Sequence, residues 1–399
     1  MNIKRFTDKA SKRILTVSGF TTSIVILLII FFLFSEAVGL FENKIVDKGY
    51  SLVVNKDNGI KDLTATQIKE IFDEDITNWK EVGGKDLKIV PFRLEQLPKI
   101  YSETELGENY EHAGSKIAGL IGKTPGMIAF IPTDLIKSET GIRILPSRNI
   151  SFKEIFTGKE WYPTATPSPL FGILPLISGT IWVSFFAILI ALPFGLSVSV
   201  YLSEVASSRV RNTLKPLVEL LNGIPSVVYG FFGLVVIVPF LQRWLGLPVG
   251  ESGLAGSIVL AIMALPTIIA VSEDAMRSCP RMLREASLAL GATQWQTIYK
   301  VVIPYSSSGI TSGVILGIGR AIGETMAVLM VTGNAAVLPS SIMEPLRTIP
   351  ATIAAELGEA PAGGAHYQSL FLLGVILFFI TFLINSCVQY ISKTNNNPR

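Results

Sequence analysis

Arg320 and Glu324 are the only charged residues in the glycine-rich stretch 306–332. Four residues apart on a helix, two side chains share one face. A guanidinium presents a planar fork of donors that suits the oxygens of a phosphate-like anion. A carboxylate beside it would compensate that charge when no anion is present and keep the anion from staying, as a translocation site requires. On insertion scales a charge at the centre of a membrane helix costs about 2.5–3.5 kcal/mol, so ionisable residues there are functional candidates by default. The same spacing also serves a salt bridge that holds two helices together, and the residues alone leave both readings open. Gly309, Gly313 and Gly317 recur every fourth position, as do Gly319 and Gly323. Small residues at this interval let helices approach closely and leave room for a passage.

A second group lies just upstream, in Pro280-Arg281-Met282-Leu283-Arg284-Glu285-Ala286-Ser287-Leu288-Ala289-Leu290-Gly291-Ala292-Thr293-Gln294-Trp295-Gln296. Pro280 suits the first position of a helix, and Leu283, Ala286, Ala289 and Leu290 give it an apolar stripe. Gly291 can take the left-handed turn that ends a helix. Thr293 with Gln296 forms a capping box, opening a second helix that runs to Pro304. Two short helices joined at a bend make a knob suited to a groove on a partner. Gly122-Lys123-Thr124 resembles the end of a phosphate-binding loop, but its required first glycine falls on Ile117, so the motif is incomplete. His112 and His366 have no ligand neighbours at metal-binding spacing, and Cys279 and Cys387 suggest no disulfide framework.

The elements that must position these groups follow from composition. Hydrophobic residues make up 49% of the chain and charged ones 16%, against roughly 25% charged in soluble domains. Charge-free stretches near 17–35, 171–203, 223–241, 253–272, 306–332 and 369–391 are each long enough to cross a hydrocarbon core, which needs about 20 residues. Six spans are therefore expected. The second, about 32 residues or roughly 48 Å as a helix, is expected to be divided by Pro175 and Pro193, with 171–178 lying along the outer interface. The net charge of +3 argues against nucleic acid; the placement of the charges matters more. Lys4, Arg5, Lys9, Lys12 and Arg13 put the N-terminus inside. Arg209, Arg211 and Lys215, then Arg277, Arg281, Arg284 and Lys300, then Lys393 and Arg399 follow on the same side, with Arg243 and Arg347 alone on the short outer loops. Ser35-Glu36-Ala37 also fits a leader-cleavage site, but the apolar run continues upstream and favours a retained helix.

Residues 41–170 are polar and expected outside. Within them Ser51–Asn55, Leu87–Phe92 and Met127–Ile131 read as strands, and Thr64–Phe72 and Ser115–Ile121 as helices, with Thr64 and Gln67 a further capping box.

Glu285-Ala286, Gly291 and Val301-Val302-Ile303-Pro304 resemble the EAA loop of ABC importer permeases, which contacts the ATP-binding subunit; Ser287 stands where that pattern has a second alanine. Gly317-Ile318-Gly319-Arg320-Ala321-Ile322-Gly323-Glu324-Thr325-Met326-Ala327-Val328, Leu221-Asn222-Gly223-Ile224-Pro225-Ser226-Val227-Val228-Tyr229-Gly230 and Phe171-Gly172-Ile173-Leu174-Pro175-Leu176 resemble phosphate ABC permeases of the PstC type. The resemblance implies an all-α polytopic membrane protein of the type I importer kind with a small α/β extracytoplasmic insertion. It places the N-terminus and first span at 1–40, the insertion at 41–150 and the permease core at 151–399. It implies no catalytic site and no cofactor in this chain, ATP being bound by a cytoplasmic ATPase dimer. It also implies a homologous second permease and a periplasmic phosphate-binding protein as partners, a bacterial inner membrane, and both termini in the cytoplasm. Arg320 and Glu324 fall on the substrate pathway, and Glu285, Ala286, Gly291 and Pro304 on the coupling loop.

Leu63–Phe72, Ile76–Gly84 and Thr124–Phe130 resemble pieces of periplasmic phosphate-binding proteins. Where those proteins carry Arg-Ser-x-Gly-Ser-Gly-Thr to cradle the anion, this chain has Arg93-Leu94-Glu95-Gln96-Leu97-Pro98. Only the arginine matches, and Glu95 would repel an anion. The insertion is therefore expected to be a truncated lobe that docks or mimics a binding protein. An importer of molybdate or sulfate, a secondary anion carrier and a non-transporting sensor are the alternatives.

Overall fold

A computed structural model describes residues 2–107, 110–136 and 141–395, with side-chain surroundings given from residue 12 to residue 390 of these. Arg399 and the side chains of Lys4, Arg5, Lys9 and Lys393, all counted toward topology above, lie outside the described residues. The chain forms two units: Met1–Ala37, Leu174–Ala362 and Leu370–Arg399 in one, Val38–Ile173 with Gly363–Ser369 in the other.

The second unit is α/β. Strands β1 (Tyr50–Asn55), β2 (Val90–Arg93), β3 (Met127–Pro132) and β4 (Ile142–Ile144) form a sheet in the order β2-β3-β1-β4. β1 runs antiparallel to both neighbours, while β2 runs parallel to β3. Helices α2 (Ala65–Phe72), α3 (Glu103–Leu106), α4 (Ala113–Lys123) and α5 (Phe152–Thr157) accompany it. A small ribbon joins β5 (Trp161–Tyr162) to β6 (Leu170–Phe171). One core collects Val53, Phe92, Leu97, Ile117, Ile121 and Ala129. The Thr64 capping box forms as expected, with Gln67 donating to the hydroxyl and accepting from the Thr64 N–H. Lys123 closes α4, so Gly122-Lys123-Thr124 sits at a helix end and not in a phosphate loop. No strand is expected at β4, because Ile142-Arg143-Ile144 alternates over only 3 residues, too short a run to stand out.

The first unit is helical. α1 covers Asn2–Gly39, and α6 covers Leu174–Val200 and continues as a π-helical turn to Val205. α7 (Ser208–Asn222) leads to a span built from α8 (Ser226–Phe232), a π-helical turn and α9 (Val238–Leu245). α10 (Gly253–Arg277) precedes α11 (Arg281–Ala289). α12 (Gln294–Thr297), a π-helical turn and α13 (Ile303–Tyr305) follow, then α14 (Ser307–Gly323), α15 (Met326–Val331), α16 (Ile349–Glu356) and α17 (Ala365–Asn395).

Among the described residues five helices are long and apolar enough to cross a membrane, and the pair Gln294–Tyr305 and Ser307–Gly323, bent by 70°, supplies up to a sixth. α10 is the central post. Ala255, Val259, Leu260 and Met263 pack with Val183 and Ala187 of α6 and with Ala327, Val328 and Val331 of α15. The expected rows of small residues account for close packing on one side of α14. A Cβ on Gly309 would lie 2.3 Å from that of Ala275, and one on Gly317 would lie 2.8 Å from Ile268, whereas Gly319 and Gly323 face open space.

Two expectations are corrected. The second span is not divided: α6 runs unbroken past Pro193. Pro175 sits in the first turn, where no intrahelical N–H is required, and residues 170–171 belong to β6, not to an interfacial helix. The stretch 306–332 is not one helix, because α14 stops at Gly323 and α15 starts at Met326.

Candidate functional site

The break after Gly323 separates the two charged residues. Arg320 lies in the last turn of α14, while Glu324 has left the helix with φ −71° and ψ 135°. The expected shared helix face does not exist, and among the described residues Arg320 makes no ion pair. Its Nη1 instead donates to the side-chain oxygens of Asn222, at 3.1 Å, and of Thr267, at 3.4 Å. The Thr267 hydroxyl also donates to Asn222 Oδ1 at 3.1 Å. Three elements thus converge: the C-terminal end of α7, the middle of α10 and the end of α14. Both partners are neutral, so the guanidinium is oriented but its charge is not cancelled. A helix C-terminus, rich in unpaired carbonyls, favours a cation, which helps hold Arg320 there. Glu324 lines a narrow cleft with Thr180, Ser184 and Thr348.

The α11–α13 knob is built as its sequence dictates, with one shift: Pro280 caps α11 and Arg281 is its first residue. Gly291 adopts φ +85°. The Gly291 N–H donates to Leu288 O and the Ala292 N–H to Ser287 O, at 2.9 and 3.2 Å, the paired bonds of a Schellman motif. The Thr293 box is present, its hydroxyl accepting from the Gln296 N–H. Ser287, where the resembled pattern has alanine, shares a 3.0 Å hydrogen bond with Thr297 and ties the two helices across the bend. No residue of α11 is buried. The apolar stripe points outward, with Leu283 at 41% and Leu290 at 89% exposure, and Glu285, Ala286, Gly291 and Pro304 are exposed as well.

Two sets of contacts that no motif in the sequence announces fasten the neighbouring helices, one holding the knob and the other holding α7. Arg284 Nη2 donates to Glu204 Oε1 at 2.7 Å and to Met276 O at 2.9 Å, while Nη1 donates to Cys279 O at 3.0 Å. One guanidinium therefore joins α11 to the ends of α6 and α10. Burial pushes the neighbouring Cys279 thiol up. Next to it, Glu273 is 1% exposed and accepts from Arg211 at 2.9 Å and Lys215 at 2.7 Å. Lys215 also reaches Asp274 at 2.6 Å. Burial alone would lower the Lys215 ammonium's pKa, but the carboxylates of Asp274 and Glu273 outweigh it and hold it above the ordinary value. Because α7 buries none of its own residues, this cluster is what holds its N-terminal half to α10. The signal in the sequence is the four-residue spacing of Arg211 and Lys215, which puts both cations on one face of α7.

In the external unit Arg93 is turned onto its own chain. Its guanidinium makes long contacts of 3.4 and 3.3 Å to the Thr166 hydroxyl and carbonyl and lies 5.2 Å from the Phe72 ring centre.

Residues 191–395 match the family model described as "Binding-protein-dependent transport system inner membrane component", and residues 34–159 match "PBP superfamily domain". The chain is 41% identical over 253 residues to a "Probable ABC transporter permease protein YqgH" of Bacillus subtilis, covering 63% of this chain and 82% of that one. It is also 41% identical over 253 residues to a "Phosphate transport system permease protein PstC" of Mesorhizobium japonicum, covering 59% and 76%. A solved inward-facing MetNI methionine ABC transporter is 22% identical with a TM-score of 0.44, over 56% of this chain and 97% of that chain.

Proposed function

The chain belongs to the inner-membrane component family of binding-protein-dependent transport systems, and on that premise we propose that it is the permease of an ATP-driven importer of inorganic phosphate, working with a separate ATPase. Relatives named as phosphate transport permeases supply the substrate. The observation that carries the reading is the Arg320 guanidinium, held by two neutral side chains with its charge free to attract an anion. One such cation binds an oxyanion without trapping it. Glu324, placed on the non-helical break just beyond, repels the anion onward.

The complex assigned to it contains a second homologous permease, an ATPase dimer and a periplasmic phosphate-binding protein. Both termini and the knob lie on the cytoplasmic side, where the basic residues concentrate. Met282, Leu283 and Leu290 enter a groove of the ATPase around Glu285 and Ala286, and Gly291 and Pro304 set the bend. When the ATPases close, Arg284 carries the displacement to the ends of α6 and α10. α10 bears Thr267, and α7, clasped at Glu273, ends in Asn222. Both partners of Arg320 therefore move with the knob. The external unit is a truncated lobe whose Arg93 is occupied by its own chain, which favours docking beside the binding protein over holding phosphate.

Phosphate-stimulated ATP hydrolysis and uptake by the reconstituted complex test this reading, with sulfate and molybdate in parallel. Stimulation by either of those and not by phosphate would reassign the substrate; uptake without the ATPase would overturn the coupled mechanism.

A further inference from the structure

Thr348 stands at the N-cap of α16 with the extended backbone that the position requires, φ −108° and ψ 157°, yet its hydroxyl makes no capping bond. A threonine there ordinarily accepts from one of the first helical N–H groups. This one is 3% exposed, has no hydrogen-bond partner among the described residues, and lines the narrow cleft that Glu324 also lines. Its placement is firm. The N–H of the next residue, Ile349, donates to the Thr180 hydroxyl at 2.9 Å, and the Arg347 carbonyl packs so closely on Gly179 that a Cβ there would not fit. A buried hydroxyl left unanswered is costly, so one held this rigidly calls for a partner that arrives during the transport cycle.

Glu324 is its complement. Among the described residues the Glu324 carboxylate has neither a hydrogen bond nor an ion pair. Ser184 of α6, 7% exposed, adds a second hydroxyl to the same cleft. The cleft also reaches Leu260 of α10, about two helical turns or roughly 10 Å from the Thr267 that meets Arg320. It is therefore a separate step from Arg320, and in the orientation proposed above it comes first on the way in. The cleft is too tight for a water molecule in this structure, so a ligand enters when the helices around it part.

A ligand that answers both groups must accept one hydrogen bond and donate another. Hydrogen phosphate does so: a P–O⁻ oxygen accepts from Thr348, and the P–OH donates to Glu324. The positive end of the α16 dipole favours the same anion. Sulfate and molybdate carry no hydrogen at neutral pH and would set a bare dianion against the carboxylate.

We propose that Thr348, Ser184 and Glu324 form an oxyanion-binding step that selects hydrogen phosphate ahead of Arg320, an inference that rests on the phosphate reading above. Glu324 repels an anion that brings no hydrogen and passes one that does. The test is uptake of radiolabelled phosphate by proteoliposomes holding the importer complex, supplied with its phosphate-binding protein. Thr348→Val keeps the shape and removes the hydroxyl; its maximal rate should fall about tenfold or more, the scale of a lost hydrogen bond to an ion. The melting temperature of the complex should not fall with it, and Thr348→Ser should restore most of the rate. Glu324→Gln, which keeps an acceptor oxygen, should transport several-fold faster than Glu324→Leu. An unchanged rate in Thr348→Val, equal loss in the serine and valine variants, or equal rates in the two Glu324 variants would overturn the site while wild-type uptake stands. No uptake by the wild-type complex would overturn the phosphate reading itself, and this site with it.

Discussion

The Arg320 guanidinium lies 3.1 Å from Asn222 Oδ1, so the end of α7 is fastened to the end of α14 at a point where α10 contributes Thr267. A neutral amide in that place orients the cation and leaves its charge for an anion.

Exchanging that amide for a carboxylate should change the outcome sharply. Asn222→Asp places a negative charge beside Arg320, and two charges about 4 Å apart attract by roughly 4 kcal/mol at an effective dielectric of 20. Phosphate uptake should fall by up to about three orders of magnitude, since 1.4 kcal/mol is tenfold, while Asn222→Ala should cost far less. Uptake by proteoliposomes separates them; equal loss in both variants would reduce Asn222 to a packing role.

Arg320→Gln removes the charge but keeps a planar hydrogen-bonding group. The complex should still assemble and hydrolyse ATP at its basal rate, with uptake lost. Normal uptake would make Arg320 a structural residue joining α7, α10 and α14.

Arg284→Ala leaves Glu204, whose side chain is 9% exposed, without its partner, a change that typically costs 3–5 kcal/mol. Basal ATP hydrolysis should persist while phosphate stimulation disappears. Restoring stimulation by pairing Arg284→Ala with Glu204→Gln would trace the defect to the unpaired carboxylate; retained stimulation in the single variant would remove Arg284 from the coupling path.

Gly291 holds φ +85°, where a side chain costs about 1–2 kcal/mol and a β-branched one more. Gly291→Val should open the bend and release the ATPase during purification, whereas Gly291→Asn should retain it. Copurification of the ATPase with the valine variant would count against the knob as the docking element.

Gly309 and Gly319 make a matched pair. A methyl at Gly309 would meet Ala275 at 2.3 Å, while one at Gly319 meets nothing within 4 Å. Gly309→Val should lower the melting temperature of the complex by several degrees, and Gly319→Ala should leave it unchanged. The reverse order would mean that α14 packs on α10 through another face.

Much of this was legible in the chain itself. The apolar runs, the Gly291 stop and both capping boxes are local devices, settled by neighbours within a few residues, and they stand where the residue types require. The row of Gly309, Gly313 and Gly317 likewise announced a close helix contact, though not that α10 would be the partner.

Other features depended on residues far apart. Spacing placed Arg320 and Glu324 on one face only if the helix continued, and nothing in Gly323-Glu324-Thr325 forbids continuation; packing of Ala327, Val328 and Val331 against α10 fixes the break. Arg284 and Glu273 read as ordinary charges of a basic loop until folding brought Glu204 and Arg211 to them. The sequence by itself determined a membrane chain with a bent knob, because hydropathy and backbone conformation are properties of short segments. Only the tertiary structure decided which side chain answers each charge, because Asn222 and Arg320 stand 98 residues apart and the energy that pairs them exists only once three helices have met.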